Sequence, residues 1–188
     1  MALRPTASQT VGPFFSIGLS DEGSSALVPP SDPGAVRVGG VVLDGMGEPV
    51  DDALIEIWQA NRAGRYAHPE DTREDIPLED GFEGFGRCAT GPDGAYGFVT
   101  VKPGPVPSPG GGMQAPHIEM SVFARGLLKR VATRLYFPDE TEANDVDPVL
   151  SSIEDPAERS TLVAKAEDGR LRFDIRLQGD RQTAFFDI

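Results

Sequence analysis

Ala53-Leu54-Ile55-Glu56-Ile57-Trp58-Gln59 alternates with a period of two. In an extended chain Ala53, Ile55 and Ile57 point to one side, and Leu54, Glu56 and Trp58 to the other. Both sides are largely apolar, so this segment is expected to be a central strand covered on both faces. Similar signals lie upstream. Val36-Arg37-Val38 runs through Gly39-Gly40 into Val41-Val42-Leu43, and Asp44-Gly45-Met46-Gly47 has the residues of a turn. Downstream, residues 61–87 are polar, acidic and glycine-punctuated, and read as a long loop, a feature that is usually functional in a compact domain. Gly91-Pro92-Asp93-Gly94 then turns into the strand Ala95–Val101. A second Pro/Gly loop spans Lys102–Gly112, and strands are expected at His117–Ala124 and Val131–Phe137. Leu171, Phe173, Ile175 and Leu177 alternate with Arg172, Asp174 and Arg176, the pattern of a half-buried strand.

One helix signal stands out, over residues 155–166. Asp155 suits the N-cap, Pro156 the first helical position, and Glu158 completes a capping box. Short strands separated by turns, with one short helix, indicate a mainly β chain: a β-sandwich of the immunoglobulin-like or transthyretin-like sort. Residues 1–34, with Pro5, Gly12-Pro13, Pro29-Pro30 and Asp32-Pro33-Gly34, read as an extended arm, leaving 35–188 as the sandwich domain. Phe14 and Phe15 in that arm cannot form a core of their own. They must pack on this domain or on a partner.

A chain of 188 residues fits one domain with an arm. The net charge of −13 disfavours nucleic acid and anionic membranes, whose phosphates would be repelled. The single cysteine, Cys88, excludes an intrachain disulfide and suits a small packing role in a reducing compartment. No apolar run approaches the roughly 18 residues of a membrane span, and the first residues lack a signal-peptide apolar region. A soluble, cytoplasmic protein is expected.

Two histidines are available for chemistry. His117 opens a strand with Glu119 two residues on, so both side chains share a face. Imidazole with carboxylate suits iron or zinc, but a pair is not a site, and a hydrogen-bonded polar pair has the same spacing. His68 lies in the polar loop, where a surface role is the default. Arg125 closes the strand Ser121-Val122-Phe123-Ala124. Its fork of N–H donors matches a planar carboxylate, and an ordinary salt bridge on an acidic protein would also explain it. Spacing assigns no Ser/His/Asp triad, and Gly110-Gly111-Gly112 is not a phosphate loop because no helix with Lys-Ser/Thr follows.

Taken in order, these segments resemble the intradiol aromatic-ring dioxygenases along nearly the whole chain. The resemblance rests on Ser8–Phe14, on Glu56-Ile57-Trp58-Gln59-Ala60 followed by Gly64-Arg65-Tyr66, and on Phe82–Arg87. It continues through Val101–Gly104, Ala115–Ile118, Thr133–Phe137 and Arg172–Ile175. It implies an oxidoreductase that opens a catechol ring between its two hydroxyl-bearing carbons, using ferric iron, Fe(3+), held by two tyrosines and two histidines. By the resemblance, Glu74 and Val106 stand at the tyrosine positions and His117 and Glu119 at the histidine positions. Gln114 replaces an arginine that precedes the first histidine by three. Three of four ligand types are lost, so no metal and no catalytic residue is expected on this chain. Phe123-Ala124-Arg125-Gly126 and the ending Ala184–Asp187 resemble the iron-free α chain of two-chain members. The resemblance therefore implies an iron-bearing β subunit as partner, in αβ units of a larger oligomer, and a carboxylated catechol as substrate. It assigns Thr10, Gly12, Pro13, Phe14 and Arg125 to the substrate pocket of the partner. The alternatives are an independent metalloenzyme built on His117 and Glu119 together with Glu74 or His68, and a transthyretin-like binding or structural module.

Overall fold

The computed structural model describes residues 7–12, 14–19 and 23–187. Among these, a short helix α1 (Phe14–Leu19) precedes β1 (Ala35–Leu43), β2 (Leu54–Trp58), β3 (Phe85–Ala89) and β4 (Ala95–Val101). A two-residue hairpin, β5 (Val106–Pro107) and β6 (Met113–Gln114), leads to β7 (His117–Phe123) and β8 (Val131–Tyr136). Helices α2 (Thr141–Val146), α3 (Pro148–Ser152) and α4 (Pro156–Ser160) follow, then β9 (Lys165–Glu167), β10 (Arg170–Arg172) and β11 (Ile175–Arg176).

Two sheets face each other. One is antiparallel in the order β3-β2-β7-β8; in the other, β1 lies between β4 on one side and β10, β11 on the other. The expected central strand is β2, flanked on both edges, with Ile55 and Ile57 in the core and Leu54 buried on the opposite face. Ile118, Met120 and Val122 of β7 meet Val38, Val42 and Phe98 of the other sheet in a continuous apolar layer. Cys88 packs against this layer as a partly buried residue.

Several expected boundaries move. The long loop ends earlier, because Phe85 onward pairs with β2 and Arg87 forms an ion pair with Glu56 directly opposite. The strand expected at 171–177 splits into β10 and β11, with Phe173 and Ile175 still facing the core. At the break the Asp174 carboxylate, not a backbone carbonyl, accepts the Val41 N–H at 3.1 Å. Gly40 is required there, since a Cβ on it would lie 2.0 Å from the Phe173 carbonyl oxygen.

The expectation of one short helix is corrected to four short helices among the described residues. α4 starts where the cap predicted it, with the Asp155 carboxylate accepting the Ala157 N–H, but it stops at Ser160 rather than 166. Beyond it the chain extends to bond to β8: Tyr136 N–H donates to the Leu162 carbonyl and Ala164 N–H to the Tyr136 carbonyl. Burial of Leu162 and Ala164 in the extended form outweighs weak helix propensity. α3 carries the same Asp-Pro start signal, Asp147-Pro148, which was legible but passed over. α1 lies within the expected extended arm. The second part of the arm is bound to its own domain, with Val28 buried beside Phe82 and Val101 and Leu27 N–H donating to the Val99 carbonyl.

Candidate functional site

The outer face of the β3-β2-β7-β8 sheet carries the chemistry. Pairing registers set Trp58 opposite Glu119, Glu119 opposite Arg134, and His117 opposite Tyr136. Cross-strand neighbours of opposite charge attract. Arg134 Nη2 accordingly lies 2.6 Å from Glu119 Oε1, while its Nη1 donates to Gln114 Oε1 at 2.6 Å and to the Tyr136 hydroxyl oxygen at 3.4 Å. One guanidinium fork thus reaches three side-chain oxygens. His117 is buried, and its Nδ1 lies 2.7 Å from the Ala115 carbonyl oxygen. A carbonyl only accepts, so Nδ1 carries the proton and Nε2 faces Glu119 Oε1 at 3.6 Å.

Burial pushes the Glu119 carboxyl up, but the His117 ring, when protonated at Nε2 as well, and Arg134 outweigh it and hold the group below the usual value. Burial also works against the Arg134 charge, and Glu119 reverses that effect. Behind the network, the Tyr136 hydroxyl donates to Asp147, whose carboxylate also accepts the Ala115, Val149 and Leu150 N–H groups. Burial raises the Tyr136 phenol well above its ordinary value.

The 61–79 segment is held by its own polar frame. Arg73 forms a two-pronged pair with Asp71, and Asp71 also accepts the Tyr66 N–H at 2.8 Å. This presents Tyr66 to stack on Trp58 at 5.8 Å between ring centroids. Burial first, then the Glu119 charge, pushes the Tyr66 phenol up to about 12. His68 is exposed, edge-on to Trp58.

The expected positions divide as follows. Gln114, His117 and Glu119 come together in one network. Val106 is buried and lines an adjacent cavity of about 450 Å³ with Trp58, Tyr66 and Arg73. Glu74 is exposed and lines a separate depression with His68 and Leu78. Arg134, Tyr136 and Asp147 were missed as site residues. Arg134 was readable as an outward-facing charge in the strand 131–137, but no local pattern tells which residue stands opposite it.

These residues do not fit a ferric centre. Val106 offers no donor atom, and the Glu119 and Gln114 oxygens are taken up by a guanidinium. Among the described residues no group of three His, Cys, Asp or Glu side chains is placed to hold a metal ion.

At the other end of the same sheet, the Thr10 hydroxyl oxygen accepts the Gly126 N–H at 2.7 Å, pinning the arm next to Arg125. The Arg125 side chain is 70 % exposed, with Nη2 3.3 Å from Asp51 and Nε 3.5 Å from Asp52. The paired phenylalanines separate. Phe15 tilts onto Phe123 at 5.3 Å, while Phe14 is 80 % exposed. Gly12 is exposed, and Pro13 lies outside the described residues. Among the described residues no helix is long and apolar enough to cross a membrane.

The family described as dioxygenase matches residues 11–179. The chain is 43% identical to the protocatechuate 3,4-dioxygenase alpha chain of Pseudomonas putida, over 99% of this chain and 98% of that one. It is 38% identical to a protocatechuate 3,4-dioxygenase beta chain of Burkholderia cepacia, over 77% of this chain and 64% of that one. The solved dioxygenase domain of a carbohydrate-binding fusion from Streptomyces sp. SirexAA-E superposes with a TM-score of 0.55 at 27% identity, covering 94% of this chain and 99% of that one. The chain belongs to the intradiol dioxygenase family of oxidoreductases.

Proposed function

We propose that this chain is the iron-free α subunit of a protocatechuate 3,4-dioxygenase, working with an iron-bearing β subunit in αβ units of a larger cytoplasmic assembly. The observation that carries the reading is end-to-end similarity to an alpha chain, together with a remnant site in which an arginine and a valine stand where a metal would need donors. On this reading Fe(3+) belongs to the partner and supplies the activation of the catechol toward dioxygen. The product is 3-carboxy-cis,cis-muconate, from cleavage between the two hydroxyl-bearing carbons.

This chain contributes binding and orientation. Within the arm of residues 1–34, the part before the docked stretch at Leu27 and Val28 reaches the partner, and 35–188 form the sandwich from which it extends. Thr10, Gly12, Pro13, Phe14 and Arg125 line the partner's pocket. The exposed Phe14 ring and the exposed guanidinium of Arg125 are both available to a second chain. Arg125 meets the substrate carboxylate, whose two oxygens match its donor fork. Asp51 and Asp52 restrain that fork before substrate arrives.

The test is co-expression with a chain carrying two tyrosines and two histidines at the ligand positions. Oxygen uptake with protocatechuate should require both chains. Arg125→Ala in the complex should raise KM roughly 10- to 100-fold, since a hydrogen bond to a charged group contributes about 1.5–3 kcal/mol. An unchanged KM refutes the carboxylate contact, and turnover by the isolated chain with its own metal refutes the subunit reading.

A further inference from the structure

The remnant pocket holds a cation of its own. Arg134 projects from β8 into the space between Glu119 and Gln114, and its two terminal nitrogens each lie 2.6 Å from an oxygen of those side chains. The arginine side chain is only 17 % exposed and that of His117 only 2 %, while the Glu119 side chain between them is partly buried at 30 %. A carboxylate in such surroundings needs a counter-charge, because an uncompensated buried charge is strongly destabilising. In a metal site the ion supplies that charge. Here a covalently attached guanidinium does.

The donor set around the guanidinium remains suited to a metal. The His117 ring donates through Nδ1 to a backbone carbonyl, the usual orienting contact of a metal-bound imidazole, and leaves Nε2 facing inward. Nε2 and Glu119 Oε1 are 3.6 Å apart. Two ligands on a tetrahedral ion with bonds of about 2.1 Å are separated by about 3.4 Å. Gln114 Oε1 is held by the same guanidinium and adds a third donor atom to the set. Imidazole, carboxylate and amide oxygen suit a borderline divalent ion such as Co²⁺.

We propose that Arg134 is a built-in substitute for a metal ion: its guanidinium fills the cation position between Glu119 and Gln114 and so closes a latent His117/Glu119/Gln114 site to divalent metals. Val106 and Glu74 explain why iron chemistry is lost. On this proposal Arg134 also keeps other metals out. Removing it without touching the three donors opens the site.

The experiment uses the full-length chain with Arg134→Ala, Arg134→Lys and Arg134→Ala/Glu119→Gln, with Co²⁺ as the probe. Thermal unfolding and visible absorption are followed as the ion is added. Wild type and Arg134→Lys are expected to gain neither absorption nor Tm. Arg134→Ala should lose roughly 3–12 °C in Tm, the shift expected when one partner of a partly buried, charge-assisted pair is removed from a chain of this size. It should regain much of this on binding one Co²⁺ per chain. Arg134→Ala/Glu119→Gln should be more stable than Arg134→Ala in the absence of metal and bind no Co²⁺. If Arg134→Ala does not fold, refolding of the double variant supports the charge-replacement role, and its failure to refold overturns it in favour of packing. Stoichiometric Co²⁺ on the wild-type chain that is abolished by Glu119→Gln, or a folded Arg134→Ala that ignores millimolar Co²⁺, also overturns it.

Discussion

Replacing Asp147 by alanine should remove the support beneath the remnant site. Asp147 is fully buried, and its carboxylate receives four donors: Ala115 N–H at 2.7 Å, Val149 and Leu150 N–H at 2.9 Å, and the Tyr136 hydroxyl at 3.1 Å. Two of these bonds are the N-cap of α3. Alanine leaves all four donors without an acceptor. Ala115 and Leu150 are each 1% exposed, so water reaches their N–H groups only if the structure opens. A stranded buried donor costs about 1–3 kcal/mol, and losing an N-cap about 1 kcal/mol, which overlaps with the Val149 and Leu150 bonds. Counting the two most enclosed N–H groups and the phenol gives a loss of roughly 3–9 kcal/mol. Urea unfolding followed by the fluorescence of the single Trp58, which lies on the same sheet face, reads this directly. With a slope of about 3 kcal/mol/M, the midpoint should fall by at least about 1 M at constant slope. Asp147→Asn keeps one acceptor oxygen but turns an NH₂ toward some of the donors, so it should fall between wild type and alanine. A loss below about 1 kcal/mol for Asp147→Ala would refute the view that this carboxylate ties α3 to the mouth of β7.

Other perturbations test different parts of the molecule. Gly40→Ala places a Cβ 2.0 Å from the Phe173 carbonyl oxygen and should cost about 3 kcal/mol or more, read as a lowered urea midpoint; a neutral result would mean that the β1–β10/β11 junction can shift freely. All three tyrosines have raised phenol values, Tyr66 to about 12, so ultraviolet titration of the folded chain should show little phenolate at the ordinary value of about 10. The sign follows from linkage. A group raised on folding stabilises fully below its unfolded value and loses that contribution as pH rises through the folded value, so stability should decline from about pH 10 upward. In the opposite direction, the Arg73 pair first, and then the Tyr66 N–H, hold the Asp71 carboxyl far below its usual range. That contribution is present above the unfolded value and is lost as pH falls through the folded one, and Asp71→Asn should abolish it. Protease nicking within 61–79 on acidification is the measurement, and an equally resistant Asn variant would count against the loop frame.

How far these features could be read in advance differs from residue to residue. The alternation of Ile55 with Glu56, and of Ile118 with Glu119, was legible because strand geometry turns every second side chain outward irrespective of context. The Asp155-Pro156 start was legible for the same local reason, and Asp147-Pro148 offered the same signal. The end of α4 was not, because it depends on Leu162 finding a buried place against β8. Phe14 and Phe15 could not be told apart by composition, and only the fold puts Phe123 within reach of one of them.

By itself the sequence determined the strand faces, the acidic surface, the absence of a tyrosine at Val106 and Glu74, and the family resemblance that gives those absences meaning. Only the tertiary structure decided that Arg134 stands opposite Glu119, that Asp147 gathers four donors, and that Thr10 meets the backbone beside Arg125. Periodicity is a property of a few adjacent residues, whereas the partner of a charge on a sheet is set by strand register, and register is settled by how the whole core packs.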